Sequence, residues 1–390
     1  MFEAGSQHQA WLLIATTLAL LTVPGVALFY AGMVRRKNVL NTFALPILAL
    51  VLVSLCWIGG IVAVDRWLGI GNMAAVGSEA ASLRHVGLAL SGALALALVA
   101  GGVVERTRCA YFLVFGLFWV LLVYGPLAHS LWGSGWLASI GSLDFAGGAV
   151  VHISAGVTAL VASILIGPRR GYGRTEMRPN NLPLSVCGAG LMWVGWCGFA
   201  SGQGAATMGT VTGAFVAIQA SAASAALAWT AVEWVQREKP TVLGTVSGGV
   251  AGLVAITPAA GYVGPLSAIV IGIGAGGLCY MVVNFVKPIL GYDDSLDVFG
   301  MHAVGGTWGM IATGLFASTA VNPSGSDGLF YGYPYQFFAQ AVAVIAVWVF
   351  AGGMTYLLVK GLGIVLSPRV GEGEEVMGLD LTQHGEKGYS

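Results

Sequence analysis

Two histidines carry the chemical interest of this 390-residue chain. His152 sits in Ala149-Val150-Val151-His152-Ile153 and His302 in Val298-Phe299-Gly300-Met301-His302-Ala303, both in apolar surroundings. Loss of water disfavours imidazolium, so both rings are expected to be neutral, each with one donor and one acceptor. A single buried histidine is adequately explained as a satisfied core residue or a tie between helices. Two at matching places can instead face each other, hydrogen-bond, and leave one donor and one acceptor for a narrow lumen. A haem held between them would need a wider gap than that arrangement leaves.

The elements that position these residues are membrane helices. A chain that is 57% hydrophobic and 9% charged, with mean hydropathy +0.82, lacks the polar surface of a soluble domain. The charge sums to zero and no basic tract suggests nucleic acid. Cys56, Cys109, Cys187, Cys197 and Cys279 fall in apolar stretches without paired or metal spacing, so neither disulfides nor a metal is implied. The first apolar run follows an acidic leader and ends at Arg35-Arg36-Lys37; it is too long for a signal-peptide core and is expected to be retained.

A bilayer core of roughly 30 Å takes about 20 helical residues. Uncharged runs divided on that basis predict an all-α membrane protein of eleven spans, near 9–33, 38–63, 85–104, 109–128, 146–167, 180–201, 207–233, 241–258, 263–286, 298–320 and 332–362. Fifteen of the seventeen basic residues fall in alternate loops and the tail, with only Arg66 and Arg84 opposite. The N-terminus is therefore expected outside and the C-terminus in the cytoplasm, in the cytoplasmic membrane. Five is an odd number, so two five-span units (9–167 and 180–320) would insert in opposite orientations as inverted repeats, with an extra helix at 332–362. Asp144-Phe145-Ala146-Gly147-Gly148 before His152 and Asp297-Val298-Phe299-Gly300 before His302 are a trace of that repeat. The membrane domain is expected to cover 1–366 and a cytoplasmic tail 367–390.

At 1.5 Å per residue His152 is about 12 Å into its span, near mid-bilayer. Asp144 and Asp297 each open a helix, where a carboxylate caps free N–H groups; Asp144 also adds negative potential on the outer face. Trp132, at the outer end of span four, is either an interfacial anchor or a ring face for a cation. The distributed glycines are expected to serve helix packing.

Several strings resemble the ammonium transporter (Amt/Mep/Rh) family: Val23-Pro24-Gly25, Phe29-Tyr30-Ala31-Gly32-Met33-Val34-Arg35-Arg36-Lys37-Asn38, Asp144 to Gly148 with His152, Gly195-Trp196-Cys197-Gly198-Phe199, Asp297 to His302, and the tail Gly378-Leu379-Asp380 with His384-Gly385-Glu386. The resemblance spans nearly the whole chain. It implies a homotrimer of eleven-helix subunits, each with its own pore, and not an enzyme. In that pore His152 and His302 would be the twin histidines, Trp132 part of an outer ammonium site, and Phe199 one of two phenylalanines of a gate. No cofactor is implied. Ammonium would be recognised outside, deprotonated, and passed as ammonia, while potassium, with no proton to leave behind, would be refused.

Three places depart from the family pattern. The outer gate phenylalanine falls on Ser91, the serine that usually accepts a hydrogen bond from ammonium falls on Gln203, and span two ends in Gly59-Gly60-Ile61-Val62-Ala63-Val64-Asp65-Arg66 without the usual aromatic and polar residues. The Gln203 amide oxygen can still accept such a bond. These changes fit ordinary drift, or an ammonium sensor that binds with little transport and signals to a cytoplasmic partner or a fused domain. By resemblance a PII-type regulator docks on the cytoplasmic face; no signalling domain is expected in a chain ending at Lys387-Gly388-Tyr389-Ser390.

Overall fold

In lipid, helices gain nothing by excluding water from one another, so contact between small residues decides how closely their backbones pack. Many of the glycines among the described residues serve this purpose. A Cβ on Gly25 would strike the Met192 backbone, and one on Gly195 the Thr22 backbone, so the first and sixth spans touch main chain to main chain. The computed structural model describes residues 2–68, 79–203 and 208–389, with side chains over 9–57, 83–202 and 209–389.

Regular structure among the described residues is helical, apart from one bridge between Thr107 and Arg369. Nine of these helices are long and apolar enough to cross a membrane: Gln9–Met33, Arg36–Trp57, Leu83–Val103, Cys109–Ser139, Gly148–Ile166, Leu182–Gly202, Gly209–Arg237, Pro265–Leu290 and Pro334–Gly363. The protein is a multi-pass, all-α integral membrane protein. The other two segments expected to span hold less apolar or shorter helices. Val242–Ile256 has 15 residues. Phe299–Ala303 leads directly into Val304–Phe316, where His302 and five glycines dilute the apolar character.

The fourth span overruns its expected end at 128. Pro126 has no N–H to donate to Leu122, and the chain absorbs the defect in a π turn, Val120–Tyr124, before the helix continues to Trp132.

At the basic face the helix ends are joined by buried ions. Glu105, fully buried, accepts from Arg35 Nε at 2.8 Å, Asn38 Nδ2 at 2.8 Å and Arg169 Nη1 at 2.6 Å. Arg169 also grips Asp293 through Nη2 at 2.7 Å, and Arg106 donates to the Asp293 carbonyl at 2.5 Å. The tail lies on this cluster: Arg369 pairs with Glu375 at 2.8 Å, Asn38 Oδ1 accepts from Leu379 N–H at 2.9 Å, and Asp380 accepts from Asn41 N–H at 2.9 Å. Burial pushes the Glu105 carboxyl up, but the Arg169 and Arg35 guanidiniums outweigh it and hold the group below its ordinary range; Arg169 does the same for Asp293.

A depressed carboxyl pKa contributes stability that is complete above the unfolded value of about 4 and is lost as pH falls through the folded value. The clasp should therefore persist unchanged from pH 7 to pH 5. Glu105→Gln leaves Arg169 and Arg35 short of a counter-charge and should cost about 3 to 5 kcal/mol. Thermal unfolding in detergent reads this, and an unshifted melting temperature would count against the clasp.

Candidate functional site

His152 and His302 come together. Each lies on a π turn, Gly148–Ile153 and Phe299–Ala303, that runs into an α-helix. Such turns are frequent at functional sites. The residue before or near each turn has positive φ, 108° at Gly147 and 61° at Asp297. Each histidine is followed four residues later by a glycine at the contact. A Cβ at Gly156 would overlap the Ala303 backbone. One at Gly306 would lie 2.7 Å from the Gly148 carbonyl and 3.2 Å from His152 Cβ. The two glycines let the helices cross closely enough for their imidazoles to meet.

The rings stack with centroids 5.3 Å apart and planes 22° from parallel. His152 is fully buried and His302 is 4% exposed. The expected mutual hydrogen bond is not made. His152 Nδ1 and Nε2 and His302 Nδ1 are buried without a partner. The reason is a third ring: Trp196 stacks on the other face of the pair, 4.9 Å from His152 and within 9° of parallel. Its indole N–H donates to Thr257 Oγ1 at 2.9 Å, and Thr257 in turn donates to the Leu253 carbonyl at 2.7 Å. Trp196 thereby fixes the plane of His152 and keeps its nitrogens from turning toward His302.

Asp144 organises the end nearest Trp132. Its two carboxylate oxygens accept from four backbone N–H groups, Gly147 at 2.9 Å, Gly148 at 2.6 Å, Ala149 at 2.9 Å and Val150 at 3.1 Å. These are the donors that the start of the His152 helix would otherwise leave unpaired. Its carbonyl accepts the Trp132 indole N–H at 2.8 Å, and the Trp132 ring closes over Gly147, where a Cβ would be 3.3 Å away.

Asp297 does not cap. It pairs with Lys287 at 2.5 Å, while Asp294, buried three residues earlier, accepts the Phe299 N–H at 2.6 Å. The capping role falls to Asp294, eight residues before His302 as Asp144 is eight before His152, and Asp297 itself has a positive φ of 61°. Near this end a cavity of 220 Å³ is lined by Phe29, Glu233, Leu296, Asp297 and Met301.

Phe199 is buried one turn beyond Trp196 on the same helix. Ser91 is fully buried, and its hydroxyl donates to the Gly87 carbonyl of its own helix at 2.9 Å. The side chains of Gln203 and of the end of span two lie outside the described residues. Trp196 and Thr257 were missed by sequence reasoning. The available signal was a tryptophan in mid-span, away from the interfaces where most membrane tryptophans sit.

The profile of the Ammonium Transporter Family matches residues 10–389. The chain belongs to this family. An ammonium transporter of Bacillus subtilis (strain 168) is 44% identical over 390 residues, covering 95% of this chain and 96% of that one. The crystal structure of Candida albicans Mep2 superimposes with a TM-score of 0.83 at 30% identity, covering 97% of this chain and 90% of that chain. A structure described as a sensor Amt protein has a TM-score of 0.86 at 24% identity, covering 97% and 98%, a likeness of fold alone. The Amt/Mep family comprises transporters, not enzymes, and the stacked His152–His302 pair is consistent with a twin-histidine motif.

Close helix crossing makes one demand that can be tested. Gly306→Val must push the His302 helix off Gly148 and His152, at a cost of about 1 to 3 kcal/mol. The melting temperature in detergent should fall, and an unchanged value would show that the crossing has room to spare.

Proposed function

We propose that the chain moves ammonium across the cytoplasmic membrane through an eleven-span subunit, with the N-terminus outside and the tail inside, and that a proton is left behind before the histidine pair. The carrying observation is that three imidazole nitrogens are buried at the pair without partners. Unsatisfied polar groups at such depth are costly unless a guest pairs with them. Ammonia is small enough for a narrow lumen and brings three donors and one acceptor. An ion would have to shed its hydration at a price of many kcal/mol.

In this reading Trp132 offers ammonium a ring face at the outer mouth, an attraction worth about 0.5 to 2 kcal/mol that grows as water is excluded. Asp144 positions that ring through its carbonyl and adds no free carboxylate to compete for the proton, because its oxygens hold four N–H groups. Gln203 takes the place of a serine acceptor at the same mouth, and Phe199 closes the path beneath it. Ammonia passes His152 and His302 and regains a proton in the cavity lined by Asp297 and Glu233. The inverted-repeat plan, in halves 9–167 and 180–320 with an extra helix at 332–362 and a tail from 367, is supported by the paired π turns and by the glycines four residues after each histidine. In the same reading the subunits assemble as a homotrimer and a PII-type regulator docks on the tail face, a reading that the family resemblance supports.

Purified protein in liposomes should carry ammonium, followed as current and as internal pH. His152→Ala and His302→Ala should each lower the rate about tenfold or more, since each removes half of the path's polar partners. Saturable calorimetric binding of ammonium with no transport above empty vesicles would overturn transport in favour of a receptor.

Ser91 stands where a gate ring is expected. If a single phenylalanine leaves the gate permissive, Ser91→Phe should slow maximal transport about two- to tenfold. Identical kinetics would show that the gate does not limit the rate.

A further inference from the structure

The segment Gly141–Leu143, just before Asp144, has no regular structure of its own, yet it sets the direction in which Asp144 leaves the backbone. Two glutamines of the helix Pro334–Gly363 hold it. Gln340 is fully buried, and its amide uses its whole hydrogen-bonding capacity. Oε1 accepts from Leu143 N–H at 2.8 Å and from the Ser142 hydroxyl at 2.8 Å. Nε2 donates to the Leu143 carbonyl at 2.7 Å and to the Met310 carbonyl at 3.3 Å. One turn earlier, Gln336 donates to the Gly141 carbonyl at 3.0 Å.

The primary amide meets the N–H and the C=O of one residue at the same time; a carboxylate has no donor and a hydrocarbon has neither. On the far side of Asp144, Phe145 N–H donates to the Pro258 carbonyl at 3.1 Å and Ala146 N–H to the Thr257 carbonyl at 3.2 Å. Asp144 is thus strapped from both flanks, and Met310 lies on the His302 helix, two turns beyond the histidine.

We propose that Gln340 is a positioning residue for the Trp132–Asp144 mouth, acting through the Leu143 backbone and tying that mouth to the His302 helix. The proposal rests on the reading of that mouth as the ammonium site. A residue serving only to fold the loop would change how much protein survives. A positioning residue changes how well the surviving protein binds.

Gln340→Leu and Gln340→Glu are compared with wild type in liposomes at matched amounts of folded, size-homogeneous protein. The half-saturating ammonium concentration should rise about tenfold, with maximal transport changed less than about twofold, because binding geometry and not the path is disturbed. In a Trp132→Leu background the same substitution should add no further shift. An unshifted half-saturation in either folded variant, or an equal shift with and without Trp132, overturns the proposal. Should neither variant fold, Gln336→Leu with Ser142→Ala removes two of the straps and must show the same shift, or the proposal falls. Wild-type protein that neither binds nor carries ammonium would instead sink the underlying reading, and this inference with it.

Discussion

Two imidazoles held face to face inside the bundle, three of their four nitrogens buried without a partner, are the constraint around which the rest of the structure is arranged. Hydrocarbon offers no hydrogen bonds, and an unpaired polar nitrogen there is sustained only by geometry. Stacking supplies that geometry. Trp196 lies parallel to His152 and His152 to His302, so the three planes deny the nitrogens one another. The glycines at 156 and 306 are the backbone side of the same arrangement, since any side chain there would hold the helices apart.

Fixing the pair requires fixing the helices that carry it, and the two ends do so differently. At the Trp132 end the work is done by neutral and capping hydrogen bonds: Asp144 on four N–H groups, Gln340 on Leu143, Thr257 on both Ala146 and Trp196. At the basic end it is done by buried ions centred on Glu105, Arg169 and Asp293, on which the tail rests.

Much of this was legible in the sequence. Span positions follow from apolar run length, and the histidines stand out because ionisable residues in spans are rare. Other features were hidden because they depend on contacts between distant segments. The π turn that carries Trp132 to the end of its helix follows from Pro126, but its size is set by packing. Asp297 reads as a helix cap in the sequence, but in the fold it pairs with Lys287 and Asp294 takes the role. The His–His hydrogen bond was a fair expectation from two neutral rings, and it fails because Trp196, 44 residues along the chain from His152, takes the other face. Gln340 is almost 200 residues from the backbone it holds, a separation at which no local pattern gives notice.

In the proposed mechanism the path takes ammonia and not a cation. Parallel measurement of currents driven by ammonium and by potassium gradients, in the same protein-containing liposomes, tests it most directly. An ammonium-dependent signal with no potassium current above empty vesicles is expected. Potassium current comparable to that for ammonium would show that whole ions pass the histidine pair, and would contradict it.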